Sequence, residues 1–406
     1  MTEHLALTAE QGAIQAHTVE RTNQSPTADN ATFEALFGNP GRNPFRGWNP
    51  DPRTIHGYQF VDVVLDGDFR GLFNAEGYIR GTGYLVGDDH MATLSVDAAR
   101  LVPSSADGTV IIGCNTAYAK YFHWITQSLP AIDYAVNRIG QAPRISVALP
   151  PLEAWQEDSL RLLDLSTVRR ITIPDKTRQY AFHRAEYSEF LNGGSAFSQS
   201  ATARATFARL RKAVERPAST DRKIYVPCTD KKSLIVRNEQ AIIEDVRKRN
   251  FEVIAPGGLP LAEQISVFRS ASLVVGSHGA DLTNIVFCEP GTIVYELVPA
   301  HYTNACFCNL ALICGLRYWA DAFASEGEGL PHVRDWEPDM AAVVERLDEI
   351  EAIHATLQEE AKRRTISALD FLRGMPGKVA QLELAEEEPP PETPGLFRRI
   401  FGAGRH

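Results

Sequence analysis

The segment from Ser272 to Asn284 constrains the fold of this chain more than any other part of the sequence. It reads SLVVGSHGADLTN, an apolar run that ends in a turn of small residues and then opens a predicted helix near residues 280–287. An apolar run between turn residues is typical of a buried strand in a parallel sheet. The segment therefore predicts a strand–turn–helix unit of an α/β fold, with Ser277 and His278 at the carboxyl end of the strand.

The same turn has the construction of an anion-binding site. The first N–H groups of a helix have no partner within the helix, and the helix dipole adds positive potential at that end. Ligands of α/β proteins bind at the carboxyl ends of strands, so a phosphate or diphosphate is the expected occupant above Gly279 and Ala280. The alternative is that the turn only closes a corner between strand and helix.

Strand and helix patterns alternate on both sides of this unit. Residues 46–216 begin with short alternating segments, which predict an antiparallel β meander, and continue from Thr109 as strand then helix. A second strand–helix rhythm over residues 217–335 predicts a compact Rossmann-like domain. Residues 336–376 predict C-terminal amphipathic helices. Two such domains in tandem place a cleft between facing carboxyl strand ends.

The two ends of the chain differ from the rest in composition. Residues 1–45 are polar and lack periodicity, which predicts a mobile arm. Residues 377–406 join an acidic, proline-rich linker to a short basic amphipathic tail. The tail, over residues 395–406, predicts weak contact with a membrane or with a partner groove, and a frayed end is the alternative.

Composition and charge exclude several classes of protein. The formal charge of -10 over 406 residues argues against nucleic acid as a partner, because phosphate backbones require a basic surface. The N-terminus has no apolar core of signal-peptide length, and no run approaches the ~20 apolar residues that span a bilayer. The six cysteines show no metal-ligand spacing. These features predict a cytoplasmic protein with reduced thiols.

Aromatic residues and a histidine open the first long helix. Tyr121, His123 and Trp124 lie in the segment YFHWITQSLP, and Gln127 follows one turn later. A tryptophan beside a polar histidine is what sugar rings stack against, so the cluster predicts the wall of a cleft. The alternative is an aromatic cluster within the core.

Two further features point to the same anion turn. Arg237, Asn238 and Glu239 enter the first helix of the second domain, where a positive side chain opposes the helix dipole and an anion would offset that conflict. A solvated surface loop is the alternative. Glu296 ends the strand that follows the turn, where it is expected either to accept two ribose hydroxyls or to pair with a cation. The sequence lacks G-x-G-x-x-G after any predicted strand and lacks a P-loop motif, which disfavours dehydrogenases and P-loop NTPases.

Three segments together resemble glycosyltransferase family 61, whose bacterial members are often labelled capsular polysaccharide biosynthesis proteins. They are YFHWITQSLP, RNEQAI and PLAEQISVFRSASLVVGSHGADLTNIVFCEPGTIVYELVP, and the likeness extends over roughly Gly108 to Ala320. The resemblance implies an α/β fold of GT-B type, in which two Rossmann-like domains face a cleft, with an N-terminal β-rich module and C-terminal helices. It also implies an inverting hexosyl- or pentosyltransferase that is independent of metal and needs no cofactor.

The resemblance also implies roles for individual residues. Arg237 and Asn238 would hold the donor, Glu296 would lie at the nucleoside, and the cleft wall would comprise Tyr121, His123, Trp124 and Gln127. The implied donor diphosphate loop comprises Ser277, His278, Gly279, Ala280, Leu282, Thr283 and Asn284. The candidate general bases, in order of preference, are His123, Asp281 and Glu239.

Three positions depart from the family pattern. Asp281 stands where glycine is usual, Gln127 where glutamate is usual, and Pro227 and Cys228 where an arginine is usual. We expect a nucleotide-sugar donor and a glycan, lipid-linked or protein acceptor, in surface or capsular polysaccharide biosynthesis at the inner face of the membrane. The alternatives are a catalytically silent nucleotide-sugar or glycan-binding subunit and a nucleotide-sugar epimerase.

Overall fold

The protein is described here by a computed structural model that covers most of the chain. The described residues are 8–22, 43–45, 52–84, 87–104, 106–139, 144–193, 198, 200–228, 234–324, 330–331 and 334–373, with side chains of the last helix described up to residue 363. The predicted tail over residues 377–406 lies outside them. The chain divides into two compact units, Met1–Val343 and Val344–His406, and the larger unit holds both β-sheets.

The first sheet combines antiparallel and parallel strands. Within the described residues it has nine strands in the order β4-β3-β2-β9-β6-β7-β8, with β1 paired to β2 and β5 paired to β9. The strands are β1 (Gln15–Arg21), β2 (Thr54–Asp66), β3 (Leu72–Asn74), β4 (Gly77–Tyr78), β5 (Leu101–Pro103), β6 (Thr109–Ile112), β7 (Ile145–Leu149), β8 (Arg169–Thr172) and β9 (Gln179–Ser188). The predicted meander and the parallel strands that follow it thus belong to one sheet.

The second sheet is entirely parallel. Its order is β11-β10-β12-β13-β14, formed by β10 (Arg222–Val226), β11 (Glu252–Val253), β12 (Ala271–Ser277), β13 (Ile293–Pro299) and β14 (Arg317–Phe323). Every residue of β12 and β13 is buried, as expected of strands covered on both faces. The predicted α/β class is confirmed, whereas the GT-B layout and the domain boundary at residue 217 stay predictions.

Helices connect the parallel strands. They are α1 (Ala9–Gly12), α2 (Asp88–Met91), α3 (Tyr121–His123), α4 (Leu129–Ile139), α5 (Ala154–Leu162), α6 (Ala201–Lys212), α7 (Glu239–Lys248), α8 (Leu261–Arg269), α9 (Cys306–Cys314) and α10 (Met340–Arg373). Short 3₁₀ helices cover Pro256–Gly258 and Ala280–Phe287. Within the described residues, no helix is both long enough and apolar enough to cross a membrane.

Part of the predicted mobile arm is incorporated in the first sheet, which corrects that prediction for residues 15–21. Strand β1 pairs antiparallel with residues 54–59 of β2. Glu20 of β1 also accepts hydrogen bonds from the side chain of Ser200 and the backbone N–H of Thr202, at the start of α6. The polar composition of this segment gives no sign of a strand, because an edge strand pairs mainly through its backbone.

The first long helix contains a π-helical turn over Trp124–Ser128, between α3 and α4. Pro130 follows the turn, and its ring nitrogen cannot donate to the carbonyl group of Thr126 as a regular α-helix requires. The hydroxyl of Thr126 instead donates to the carbonyl oxygen of Phe122 at 2.7 Å. The π turn carries Gln127, so it affects the surroundings of His123.

Candidate functional site

The turn predicted to bind an anion forms where β12 ends. Strand register places Gly276 beside Val226 of β10, at the carboxyl end of the parallel sheet. A Cβ atom at Gly276 would lie 3.2 Å from both Cβ and the carbonyl oxygen of Val226, so this close approach favours glycine. The backbone N–H of His278 donates to the carbonyl oxygen of Leu297 at 2.9 Å, which fixes the start of the turn.

A buried carboxylate orients His278. Its Nδ1 lies 2.5 Å from Oε1 of Glu296, a side chain with no exposed surface. The other carboxylate oxygen, Oε2, accepts a hydrogen bond from the hydroxyl group of Tyr318. Because a carboxylate only accepts hydrogen bonds, we assign the proton to Nδ1, and Nε2 then carries the lone pair of the neutral ring. A carboxylate that accepts a hydrogen bond from one ring nitrogen in this way holds catalytic imidazoles in one tautomer.

The geometry does not place Glu296 as the ribose ligand expected from the sequence. Each of its carboxylate oxygens has a protein partner, and the side chain is closed to solvent. The alternative considered for this residue was a pair with a nearby cation, and the partners that the structure shows are the imidazole of His278 and the hydroxyl group of Tyr318.

Two aromatic rings enclose the imidazole of His278. The rings of Tyr302 and Phe307 both meet it edge to face, with centroids at 5.5 Å and 5.1 Å. His278 is 5% exposed, and no described residue donates to or accepts from its Nε2. Nε2 is therefore the ring nitrogen available to a ligand.

The 3₁₀ helix after β12 exposes only its first residues. Ala280 is exposed, and Gly279 and Asp281 are half-buried. Three other members of the predicted diphosphate loop are buried, namely Leu282, Thr283 and Asn284. Their burial leaves no surface for direct contact with a ligand, which corrects the donor-contact role expected of them. Asn284 instead donates from Nδ2 to the carbonyl oxygen of Asp281 at 3.1 Å. Ligand contacts in this segment fall to residues 279–281 and the backbone.

His123 lies on the first-sheet side of the site. Its Nδ1 is 3.2 Å from both the hydroxyl oxygen of Tyr84 and Oε1 of Gln127. Burial lowers the pKa of His123 to about 4, and the ammonium group of Lys120 adds to this effect. The imidazole is therefore uncharged at neutral pH.

Gln127 links His123 to the loop that follows β6. Its Oε1 accepts a hydrogen bond from Nδ2 of Asn115 at 2.7 Å, while its own Nε2 is buried without a hydrogen-bond partner. Asn115 also donates to the carbonyl oxygen of Leu191 at 2.9 Å. An amide thus occupies a fully buried position beside His123. Its hydrogen bond raises the pKa of His123, but less than burial lowers it, and a carboxylate there would stabilise the charged imidazole more strongly.

The two histidine segments are in contact. The hydroxyl of Tyr121 donates to Oδ1 of Asn284 at 2.6 Å, which joins the start of α3 to the turn after β12. The ring of Phe122 lies 5.9 Å from that of Phe307, the residue that also contacts His278. The side chains of both segments therefore border one region of the larger unit.

Trp124 is not part of the cleft wall, which corrects the sequence prediction. Its side chain has no exposed surface, and its indole N–H donates to Oγ of Ser159 at 2.8 Å. It also packs edge to face against Trp155, with centroids 6.2 Å apart. The core role considered as the alternative is the one observed, because the helix turns this residue towards α5.

The segment that enters α7 borders the turn through Glu239. Oε1 of Glu239 accepts hydrogen bonds from the backbone N–H of Cys228 at 2.7 Å and the hydroxyl of Tyr225 at 3.2 Å. Burial raises the pKa of this carboxyl group. Cys228 in turn borders the turn, because a Cβ at Gly279 would lie 3.9 Å from its sulfur. Glu239 therefore supports the loop after β10 and is poorly placed as a base.

Arg237 and Asn238 both lie near the segment that precedes α10. The guanidinium group of Arg237 is exposed, with Nε 4.0 Å from the Asp335 carboxylate. Asn238 donates from Nδ2 to the carbonyl oxygen of Pro338 at 2.7 Å. The structure thus leaves Arg237 accessible at the rim, and it gives Asn238 a structural contact.

Asp281 lies between the second sheet and Tyr121. Burial raises the pKa of Tyr121, and the Asp281 charge adds to that rise. A Cβ at Gly257 would lie 3.7 Å from Oδ1 of Asp281. Within the described part of the chain, no group of three or more His, Cys, Asp or Glu side chains is arranged to hold a metal ion.

Sequence reasoning missed several residues that shape the site. Tyr84 contacts His123, and Tyr302, Phe307 and Tyr318 surround His278 or its carboxylate partner. Each comes from a segment that carries no motif, such as the loop before α2 or strand β14. Only Tyr318 could have been found from the sequence, because it lies near the start of a strand that pairs in parallel with β13, the strand of Glu296.

Part of the chain is similar to known glycosyltransferases. Residues 121–295 match the family model described as Glycosyltransferase 61, and this range contains both histidine segments. A Beta-1,2-xylosyltransferase of Arabidopsis thaliana is 29% identical over 92 residues, which are 23% of this chain and 15% of that protein. An EGF domain-specific O-linked N-acetylglucosamine transferase of Drosophila melanogaster is 31% identical over 74 residues, 18% of this chain and 13% of that protein. The matches therefore span less than a sixth of either relative.

Proposed function

We propose that this chain is a glycosyltransferase that moves a sugar from a nucleotide-sugar donor to a hydroxyl group of a glycan acceptor, with inversion at the anomeric carbon. The match over residues 121–295 and the two sugar transferases support transfer of a sugar. The observation that carries the proposal is the imidazole of His278, held by buried Glu296 with Nε2 directed away from that carboxylate at the carboxyl end of a parallel strand.

His278 is the general base in this proposal. Its Nε2 takes the proton of the acceptor hydroxyl while the Glu296 carboxylate holds Nδ1–H and stabilises the imidazolium that forms. His123, which the sequence ranked first, is backed by an amide and has a pKa of about 4, so it is a weak base at neutral pH. His123 serves as an uncharged hydrogen-bond partner of the acceptor.

The transfer step follows from this arrangement. As the proton moves to His278, the acceptor oxygen bonds to the anomeric carbon of the donor, and the bond from that carbon to the diphosphate oxygen breaks. The electron pair leaves with the nucleoside diphosphate. Backbone N–H groups at the start of the 3₁₀ helix and the exposed guanidinium of Arg237 stabilise this leaving group.

Donor binding is tested by thermal unfolding of the full chain with UDP, GDP, CMP and their sugars. A ligand that binds only the folded state raises the melting temperature by an amount set by its affinity. Arg237→Met should reduce this rise, and Arg222→Met, at a guanidinium paired with Glu252, is the matched control. If no nucleotide raises the melting temperature, the donor site is not where we place it.

Turnover is tested by release of nucleoside diphosphate after acceptor addition. We expect His278→Gln to retain the nucleotide-dependent rise in melting temperature and to lose turnover by about 10²-fold or more. His123→Gln should lose less. Equal activity of His278→Gln and the wild type would remove the assigned base.

A second candidate function is a catalytically silent subunit that binds a nucleotide-sugar or a glycan. Gln127 favours it, because an amide stands beside His123 at a position where the resembled family usually has glutamate. Tight nucleotide binding without turnover across many acceptors would establish this alternative.

Other parts of the proposal rest on the sequence resemblance alone. The first is a role in surface or capsular polysaccharide biosynthesis, in the cytoplasm at the inner face of the membrane. The second is that a lipid-linked glycan or a protein takes the place of a free glycan as the acceptor. The third is that transfer needs no divalent cation. Full activity in EDTA would support the last of these, and loss of activity in EDTA would assign Asp281 a place beside a diphosphate-bound cation.

A further inference from the structure

Arg70 is a buried cation whose guanidinium group has no hydrogen-bonding partner among the described residues. It lies between β2 and β3 with a left-handed backbone conformation, φ 56°, and it is 5% exposed. Its Nη1 is buried and makes no hydrogen bond, and no described carboxylate lies within ion-pair distance of the guanidinium. An unpaired charge removed from water costs several kcal/mol, so such a group is uncommon unless it serves a ligand.

The buried carboxylate that is nearest along the chain, Asp66, makes its hydrogen bonds to other groups. Asp66 accepts hydrogen bonds from the backbone N–H groups of Asp68 and Phe69 and from the side chains of Arg100 and Gln179. These contacts satisfy Asp66 without Arg70. Among the described residues, no carboxylate is thus left to pair with the guanidinium group.

Arg70 faces the loop that joins β6 to α3. Its guanidinium carbon lies 5.8 Å from the centre of the Tyr118 ring, at the distance of a cation–π contact. Burial raises the pKa of Cys114 to about 11, and the charge of Arg70 opposes that rise. The cation thus lies beneath residues 114–118. An aromatic face offsets only part of the cost of burial, because it supplies no hydrogen-bond acceptor in the guanidinium plane.

The same loop forms the acceptor side of the proposed site. Asn115 holds Gln127, and the hydroxyl of Thr116 donates to the carbonyl oxygen of Tyr84 at 2.6 Å. Five residue steps separate Tyr118 from His123, so their Cα atoms are at most about 18 Å apart. An oligosaccharide that presents one hydroxyl near the histidines is long enough to reach this loop with another sugar.

We propose that Arg70 binds an oxyanion of the acceptor, a sugar carboxylate or a sugar phosphate, so that the acceptor is an anionic glycan. This inference rests on the proposed function. A guanidinium presents paired N–H groups that match two oxygens of either anion, and such bonds strengthen out of water. Tyr118 keeps the guanidinium plane in place for the incoming anion.

The test compares three small probes on the full chain. Methyl glucuronide carries the carboxylate, glucose 6-phosphate carries the phosphate, and methyl glucoside is the neutral control. We expect one anionic probe to bind more tightly than methyl glucoside, and the tighter of the two identifies the anion. In Arg70→Met that probe should bind roughly 10- to 100-fold more weakly, as expected when a hydrogen bond to a charged group is lost.

Stability separates a ligand-binding role from a structural one. Arg70→Met removes an unpaired buried charge, so the melting temperature without ligand should stay the same or rise. Arg70→Lys keeps the charge without the planar fork and should bind with intermediate affinity. Arg178→Met, at an exposed arginine near Asp175, is the matched control and should bind like the wild type.

Two results would overturn the proposal: equal binding of the anionic probe to Arg70→Met and the wild type, or no preference of the wild type for either anion. Nucleotide-dependent shifts in melting temperature are measured on the same samples. If the nucleotide-dependent shifts persist while Arg70→Met binds the anionic probe as the wild type does, only the anionic acceptor is refuted. If they are absent while the probe binds through Arg70, the transferase proposal is refuted and the anion site stands.

Discussion

The Nδ1 atom of His278 and the Oε1 atom of Glu296 lie 2.5 Å apart in a part of the protein closed to solvent. His278 follows β12 and Glu296 lies within β13, and the two strands are parallel neighbours. The contact therefore joins residues that are 18 positions apart in sequence through the register of the sheet. It fixes both the orientation and the protonation site of one imidazole.

Replacing Glu296 by glutamine should impair catalysis far more than binding. The amide removes the negative charge that stabilises an imidazolium, and in one of its orientations it forces the wrong tautomer. We expect kcat to fall by at least about 10²-fold with little change in the KM of the nucleotide-sugar. Steady-state kinetics with a donor identified by the thermal screen measure both values.

Tyr318→Phe is the control for this substitution. It removes the hydroxyl that donates to Oε2 and keeps the carboxylate and its contact with His278. The free energy of unfolding should fall by about 1–3 kcal/mol, while kcat stays within about tenfold of the wild type. A Glu296→Gln enzyme with the kcat of the wild type would refute the assigned pair.

Acid should destabilise the protein through His123. Its pKa is lowered from 6.5 to about 4 in the folded state, mainly by burial. Between these values the unfolded chain binds a proton that the folded chain does not, so the free energy of unfolding falls as the pH drops. The full effect is about 3 kcal/mol, and it is measured by urea unfolding from pH 7 to pH 4.

Two variants isolate that effect. His123→Gln lacks the titrating group, so its stability should depend less steeply on pH over this range. Gln127→Glu places a carboxylate beside Nδ1 and should raise the pKa of His123 in the folded state. The pKa of His123 then differs less between the folded and the unfolded chain, so the stability again depends less on pH. A wild type and a His123→Gln variant with parallel pH profiles would contradict the buried, uncharged imidazole.

Trp124→Phe should reduce stability without changing acceptor binding. The substitution removes the N–H that donates to Ser159 and leaves a small cavity in the core. We expect a loss of about 1–3 kcal/mol in the free energy of unfolding and an unchanged acceptor KM. An acceptor KM raised tenfold in a variant of normal stability would restore Trp124 to the cleft wall.

Tyr121→Phe tests the connection between the two sheets. The hydroxyl that it removes is the donor to Oδ1 of Asn284, a fully buried side chain whose amide oxygen would lose that donor. We expect the free energy of unfolding to fall by about 1–3 kcal/mol. A double-mutant cycle with Asn284→Ala measures the coupling, and strict additivity of the two changes would show that this bond does not join them.

The sequence by itself determined the class of the fold and the alternation of its strands and helices. Apolar runs such as residues 272–275 predicted parallel strands, and they form strands of the parallel sheet. The segments around His123 and His278 were expected to share one site; the structure brings them into contact, and the shared site stays a prediction. These features follow from local periodicity and from the rule that carboxyl strand ends gather at one edge. The family resemblance read from the same segments agrees with the match over residues 121–295.

Only the tertiary structure decided which side chains are partners. It paired Glu296 with His278, turned Trp124 into the core and left Arg70 buried without a carboxylate. The sequence could not show these outcomes, because each depends on strand register and on side chains that come from distant segments. Burial then sets the chemistry: the same residue types would be solvated and unremarkable on a surface, whereas in the interior every charge needs a partner.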